Sequence, residues 1–126
     1  KIFMFVRNPF TRERSVYRWL IETGQIKLED LSFEQYVNGS WFNHEPSYYD
    51  RYGEFYHLVE HVHLEKIDNF FVNELNIEIE EYDNSYHNVN DGIEDLHAYN
   101  EQMKQKVLTK YKHDIELIGF DLTSYV

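Results

Sequence analysis

The residues best suited to anion chemistry lie near the start of the sequence, where Arg7 closes an apolar run and Ser15 follows eight residues later. A guanidinium can grip a phosphate or a carboxylate through two parallel N–H bonds. A serine hydroxyl can add a third donor. Two such side chains on either side of a tight turn are therefore candidates for binding an anionic ligand.

The secondary structure around Arg7 supports this assignment. Residues 2–6 are apolar without interruption, which predicts a strand buried in a sheet that is covered on both sides. Asn8 is a good helix N-cap and Pro9 suits the first helical position, so we predict a helix from about Pro9 to Glu22. Arg7 then lies at the carboxyl end of a strand and beside a helix N-terminus. Ligands of open α/β sheets bind at such ends, and an anion is favoured there.

The same segment also has a purely structural interpretation. A strand–helix junction can contain an arginine that only pairs with a neighbouring Asp or Glu. The chain would then be a non-catalytic α/β interaction module with a structural Arg–carboxylate junction. A Gly-rich Lys-Ser/Thr loop in the residues encoded before Lys1 would favour an enzyme over such a module.

The wider motif resembles the 3′-phosphate-binding segment of sulfotransferases that use 3′-phosphoadenosine 5′-phosphosulfate (PAPS), in particular the carbohydrate (Golgi-type) enzymes. In that family a buried strand leads into Arg-(Asn/Asp)-Pro and an aromatic residue, followed by another Arg and by Ser-x-Tyr. This sequence has Arg7-Asn8-Pro9-Phe10, Arg12 and Ser15-Val16-Tyr17. Looser similarities are a strand–Glu–helix segment at Leu64-Glu65 and a closing pattern from Tyr111 to Phe120.

The resemblance implies an α/β fold with a P-loop NTPase-like parallel sheet flanked by helices, of which this chain is the C-terminal portion. It implies that Arg7 and Ser15 hold the 3′-phosphate of PAPS. A sulfuryl group would pass to a hydroxyl or amine of a carbohydrate or other small-molecule acceptor, leaving 3′,5′-ADP. The family's catalytic base generally precedes the Arg-Asn-Pro segment and is expected outside this chain. Within the chain, His44 is the candidate that could face the acceptor.

The glycines indicate how much of such a domain is present. All five are scattered, and none belongs to the Gly-rich Lys-Ser/Thr loop with which the family holds the 5′-phosphosulfate. The sequence also opens at Lys1-Ile2, inside the predicted strand. We therefore expect residues 1–126 to be the C-terminal part of a single sulfotransferase domain. The phosphosulfate-binding loop would lie N-terminal to this chain, which alone should be inactive.

Charge is unevenly distributed along the chain, whose net charge is −11. Residues 1–20 have five basic side chains and one acid, a balance of +4, so the other 106 residues carry −15. One basic end suits a local phosphate pocket, whereas nucleic-acid binding would need a broader basic face. No apolar run exceeds five residues, so we expect no membrane contact from this segment. Absence of cysteine is more typical of a cytosolic setting, but an anchor outside the chain would allow the Golgi lumen.

The rest of the sequence predicts helices separated by an aromatic loop and one strand. Ser32 to Gln35 form a capping box that opens a short helix ending near Asn38-Gly39. Residues 40–56 have no clear period and predict a loop, while alternation over 58–64 predicts a strand. Further predictions are a helix near 64–75, a polar loop over 76–91, and a long or broken helix from Ile93 to Gly119.

Two other clusters have rival interpretations. His57, His61 and His63 lie close together and could bind a metal, but no cysteine accompanies them and their spacing matches no zinc signature. We therefore expect no metal. The second cluster consists of tyrosines that could stack on a sugar or an adenine, namely Tyr48, Tyr49, Tyr52 and Tyr56. Packing beneath the loop is the commoner role for such residues.

Overall fold

The computed structural model describes residues 2–66 and 98–123, which form a mixed α/β fold. Strands β1 (Phe3–Val6) and β2 (Glu60–His63) pair in parallel, with Phe3 opposite Glu60. The α-helices of the described residues are α1 (Pro9–Glu22), α2 (Phe33–Asn38), α3 (Tyr48–Tyr52), α4 (Glu101–Lys110) and α5 (Lys112–Leu117). Short 3₁₀ helices cover Ser40–Asn43, Gly53–Leu58 and Leu64–Lys66.

Helix α1 has the bounds predicted from its sequence. The Asn8 side chain accepts a hydrogen bond from the Phe10 N–H at 3.1 Å, and Pro9 occupies the first turn, where its missing N–H leaves no bond unmade. Thus only Arg7 and Asn8 separate the end of β1 from the start of α1. This short connection fixes Arg7 at the carboxyl edge of the sheet.

Strand β1 is buried on one face and more exposed on the other. Met4 and Val6 pack with Tyr48 and Tyr56, whereas Phe5 keeps 46% of its surface exposed. The prediction of a strand covered on both faces is therefore wrong for the described residues. Successive side chains of a strand point to opposite faces, so Phe5 lies on the face opposite Met4 and Val6.

Most of the apolar core lies among α1, α2 and α4. Tyr17 packs against Tyr36 with ring centroids 5.5 Å apart, and Phe10 meets Tyr99 edge-on at 5.0 Å. The Ser32 capping box at the start of α2 is present as predicted. Aromatic rings thus fill the space on the buried face of α1, and its other side is available for a ligand site.

Residues 40–56 differ from the predicted loop, because they form helical turns. Ser47 caps α3 by accepting a hydrogen bond from the Asp50 N–H at 3.2 Å. A five-residue helix is too short to give a helical period, which explains why the pattern there is unclear. Strand β2 is also shorter than predicted, since Leu58 still belongs to a 3₁₀ helix.

The C-terminal helix is broken, one of the two forms that its pattern predicted. Asn100 caps α4 and accepts from the Met103 N–H at 2.9 Å, Tyr111 separates α4 from α5, and Gly119 follows α5 with a φ of 85°. A positive φ favours glycine, which explains this stop. The predictions of a helix beyond Lys66, a polar loop over 76–91 and a helix start at Ile93 lie outside the described residues. In the described part of the chain, no helix has the length and apolar character needed to cross a membrane.

Candidate anion-binding site

The structure brings the two predicted ligand-binding residues together. Arg7 Nη1 donates a hydrogen bond to Ser15 Oγ at 2.7 Å, and both side chains are half-buried. Ser15 lies in the second turn of α1, on the side away from the aromatic core. Within residues 2–66 and 98–123, the Arg7 guanidinium forms no ion pair with a carboxylate.

Arg7 and Ser15 open onto a cavity of about 310 Å³. It is lined by Arg7, Arg12, Ser15, Val16, Trp19, Glu45 and Tyr48. Glu45, the acid in this lining, is already bound through both carboxylate oxygens by Arg51, at 2.7 Å each. Two arginines, a serine and a tyrosine therefore line this cavity, together with one carboxylate that has its own cation. Such a lining favours an anionic ligand.

Tyr48 connects the cavity with the C-terminal helices. Its hydroxyl oxygen accepts a hydrogen bond from the Arg7 backbone N–H at 2.8 Å. The buried Asp114 carboxylate accepts from the N–H groups of Tyr48 and Tyr49, at 3.0 and 2.9 Å. Burial raises the pKa of Asp114, and these two bonds oppose the rise because they stabilise the charged form.

Arg12 is held much more tightly than Arg7. Its side chain is 8% exposed, and Nη1 donates both to the Pro46 carbonyl at 2.8 Å and to the Tyr111 hydroxyl at 2.7 Å. The guanidinium also lies 4.4 Å from the centre of the Tyr48 ring, a cation–π geometry. Arg12 therefore contributes a fixed positive charge to the wall of the cavity.

Behind Arg12, a buried cluster is centred on Glu13, which has no exposed surface. Its carboxylate accepts hydrogen bonds from Lys110 Nζ and Tyr36 Oη at 2.6 Å each, and from the Tyr111 hydroxyl. Burial lowers the pKa of Lys110, and the contact with Glu13 partly offsets that effect. This cluster fixes the Tyr111 hydroxyl that in turn holds Arg12.

His44 lies beside the cavity but does not line it. Its ring stacks on the Trp19 ring with centroids 6.4 Å apart, and its centroid lies 5.5 Å from that of the Trp41 ring. Trp19 itself lines the cavity and is 49% exposed. An exposed indole at the cavity wall offers a flat apolar surface to the ring of a ligand.

The histidines of β2 pack against aromatic rings. His61 lies against the Tyr56 ring at 4.6 Å, and its Nε2 is buried without a hydrogen-bond partner among the described residues. His63 meets the Phe120 ring edge-on at 5.1 Å. The described residues contain no group of three His, Asp or Glu side chains that could hold a metal ion.

Three further cavity residues were not predicted to line the site with Arg7 and Ser15, namely Arg12, Trp19 and Tyr48. Trp19 was detectable, because it follows Ser15 by four residues and so shares a helix face with it. Tyr48 had only the ambiguous aromatic signal, and its contact with Arg7 spans 41 residues. Arg12 belonged to the motif, but its contact with Tyr111 spans 99 residues and left no local pattern.

Comparisons of the chain with models of known protein families, with curated proteins and with solved structures gave no match. Its function is therefore inferred from the Arg7–Ser15 site itself.

Proposed function

We propose that this chain supplies the 3′-phosphate site of a PAPS-dependent sulfotransferase with a P-loop-like α/β fold. Arg7 and Ser15 hold the 3′-phosphate of the donor, and the acceptor is a carbohydrate or another small molecule that presents a hydroxyl or an amine. The observation that carries the proposal is the 2.7 Å bond between Arg7 and Ser15 on a cationic cavity at the carboxyl end of β1.

The contacts of Arg7 favour this proposal over a structural Arg–carboxylate junction. A structural junction needs a carboxylate beside Arg7. Among the described residues, the Arg7 guanidinium instead contacts the neutral hydroxyl of Ser15. An arginine in contact with a serine hydroxyl on one cavity wall suits a phosphate, which offers several acceptor oxygens. The short strand–helix turn lets the Arg7 guanidinium reach Ser15 in the second turn of α1, so one ligand could contact both groups.

In this proposal the site acts by positioning the donor. The acceptor oxygen or nitrogen attacks the sulfur of PAPS in line, the bond from sulfur to the bridging phosphate oxygen breaks, and 3′,5′-ADP leaves. A base outside these 126 residues takes the acceptor proton. The sequence lacks a Gly-rich Lys-Ser/Thr loop, so other residues must hold the 5′-phosphosulfate. Binding energy gained at the 3′-phosphate then fixes the sulfur opposite the acceptor.

The test is a calorimetric titration of full-length protein and its Arg7→Ala variant with 3′,5′-ADP and with 5′-AMP, which lacks the 3′-phosphate. We expect wild type to prefer 3′,5′-ADP, and Arg7→Ala to lose about 1.5–3 kcal/mol of that preference because a charged hydrogen-bond donor is removed. Lys112→Ala is the control, since Lys112 is an exposed cation that does not line the cavity. Equal affinity of wild type for the two nucleotides would refute the proposal.

A further inference from the structure

Tyr48 lies on the Arg7–Ser15 cavity, and its hydroxyl has an unused hydrogen-bonding capacity. The side chain is buried to all but 7% of its surface. Its oxygen accepts the Arg7 backbone N–H at 2.8 Å. A phenol that accepts one hydrogen bond retains its own proton for donation.

No described residue takes this proton. Among residues 2–66 and 98–123, the hydrogen bond of the Tyr48 side chain is the one it accepts from Arg7. Burial raises the pKa of Tyr48, so the hydroxyl remains protonated at neutral pH. Burying an O–H group without a hydrogen-bond acceptor costs free energy. A ligand in the cavity could supply that acceptor.

We propose that the Tyr48 hydroxyl is a third donor to the anion held by Arg7 and Ser15. This inference rests on the proposed function, in which that anion is the 3′-phosphate of PAPS or 3′,5′-ADP. A terminal phosphate offers three acceptor oxygens, and the three side chains offer donors from three separate segments. A phosphodiester has fewer free oxygens, so the site should select a terminal phosphate monoester.

The hydroxyl is also well fixed for this role. The Asp114 carboxylate accepts a hydrogen bond from the backbone N–H of Tyr48. The Arg12 guanidinium lies 4.4 Å from the centre of the Tyr48 ring. Donors held in place before the ligand arrives lose little conformational freedom on binding. The cation at the ring face also makes the phenol a stronger hydrogen-bond donor.

The test compares Tyr48→Phe with Tyr49→Phe in full-length protein. Tyr48→Phe keeps the ring beneath Arg12 and removes the hydroxyl. Tyr49 is the matched control because it adjoins Tyr48 and shares Asp114, but it does not line the cavity. We expect Tyr48→Phe to bind 3′,5′-ADP about 10- to 100-fold more weakly, as for loss of a hydrogen bond to a charged group. Affinity for 5′-AMP should be unchanged, and Tyr49→Phe should match wild type with both nucleotides.

The outcomes separate this inference from the proposed function. If wild type does not prefer 3′,5′-ADP to 5′-AMP, the proposed function fails. If wild type has the preference and Tyr48→Phe retains it, only the role of Tyr48 is refuted. Equal weakening of both nucleotides by Tyr48→Phe would assign Tyr48 to structure alone and also refute the inference.

A second measurement needs no substitution and covers a Tyr48→Phe variant that does not fold. The hydroxyl proton of Tyr48 in wild type should give a slowly exchanging NMR signal that moves downfield when 3′,5′-ADP is added, because it enters a hydrogen bond to phosphate. With 5′-AMP the signal should not move. A signal that responds equally to both nucleotides, or to neither, would overturn the proposal.

Discussion

Helix α1 and the turn before it contribute polar groups to two regions that use them in opposite ways. On one side, Glu13 is fully buried and bound by Lys110, Tyr36 and Tyr111. On the other side, Arg7 and Ser15 are half-buried and face a cavity of about 310 Å³. The first region will be called the Glu13 cluster and the second the Arg7 cavity.

The difference separates stability from binding. In the Glu13 cluster every partner is supplied by the chain, so removing a group leaves a buried charge or hydroxyl without its partner. In the Arg7 cavity, Arg7 and Ser15 line space that a ligand can fill, so we expect their removal to affect mainly ligand binding. Arg12 and Tyr111 join the two regions through their 2.7 Å hydrogen bond.

The largest expected effect comes from breaking the Glu13 cluster. Glu13→Gln leaves the Lys110 ammonium, whose side chain is 9% exposed, without its counter-charge. We expect a loss of about 3–5 kcal/mol in the free energy of unfolding, the usual cost of breaking a buried ion pair. Urea denaturation measures it, with Glu22→Gln as the control because Glu22 is an exposed acid on the same helix. A loss below about 1 kcal/mol would mean that the two regions do not differ as described.

A smaller effect, confined to binding, is expected at Ser15. Ser15→Ala should reduce the affinity for 3′,5′-ADP by about 1 kcal/mol and change the free energy of unfolding little, since the side chain is only half-buried. Combined with Arg7→Ala in a double-mutant cycle, the two losses should not add, because both groups contact one phosphate. Simple additivity, or a loss of stability without a loss of affinity, would argue against a shared site.

The smallest effect sharpens the comparison through pH. Burial lowers the pKa of His61. The nearby Asp114 carboxylate partly opposes this shift, whereas His63 and His57 lower the pKa further. The unfolded chain therefore binds more protons than the folded chain as the pH falls below about 6.5, and stability should fall there. His61→Phe keeps a ring against Tyr56 and should flatten this dependence in urea denaturation between pH 7.5 and 5.5. Affinity for 3′,5′-ADP should be the same in both proteins at pH 7.5.

The parts of the fold that the sequence predicted are those with local signals. Asn8 and Pro9 define the start of α1, and Ser32 with Gln35 defines the start of α2, because caps act within three residues. The meeting of Arg7 and Ser15 was also predictable, since it requires only a strand, a two-residue turn and a helix. The binding role of the pair remains a prediction.

What the sequence did not predict depends on contacts between distant residues. Nothing in the pattern around Glu13 distinguishes a buried acid from an exposed one, because its partners lie between 23 and 98 residues away along the chain. Exposure of Phe5 was missed for a related reason: an apolar run reports that side chains are large and apolar, and not how many layers cover them. Tyr48 joins the site only when α3 packs against Asp114.

The long separations between contacting residues have a kinetic consequence. Arg7 reaches Tyr48 across 41 residues, Asn8 reaches Glu65 across 57, and Arg12 reaches Tyr111 across 99. Closing such loops costs chain entropy before any contact compensates for it, so we expect the cavity to assemble after the folding transition state. Tyr111→Phe should then accelerate unfolding and leave the folding rate nearly unchanged, a φ-value near zero, whereas substitutions at Tyr17 within the local α1–α2 pair should slow folding. A φ-value near one at Tyr111 would place these contacts early instead.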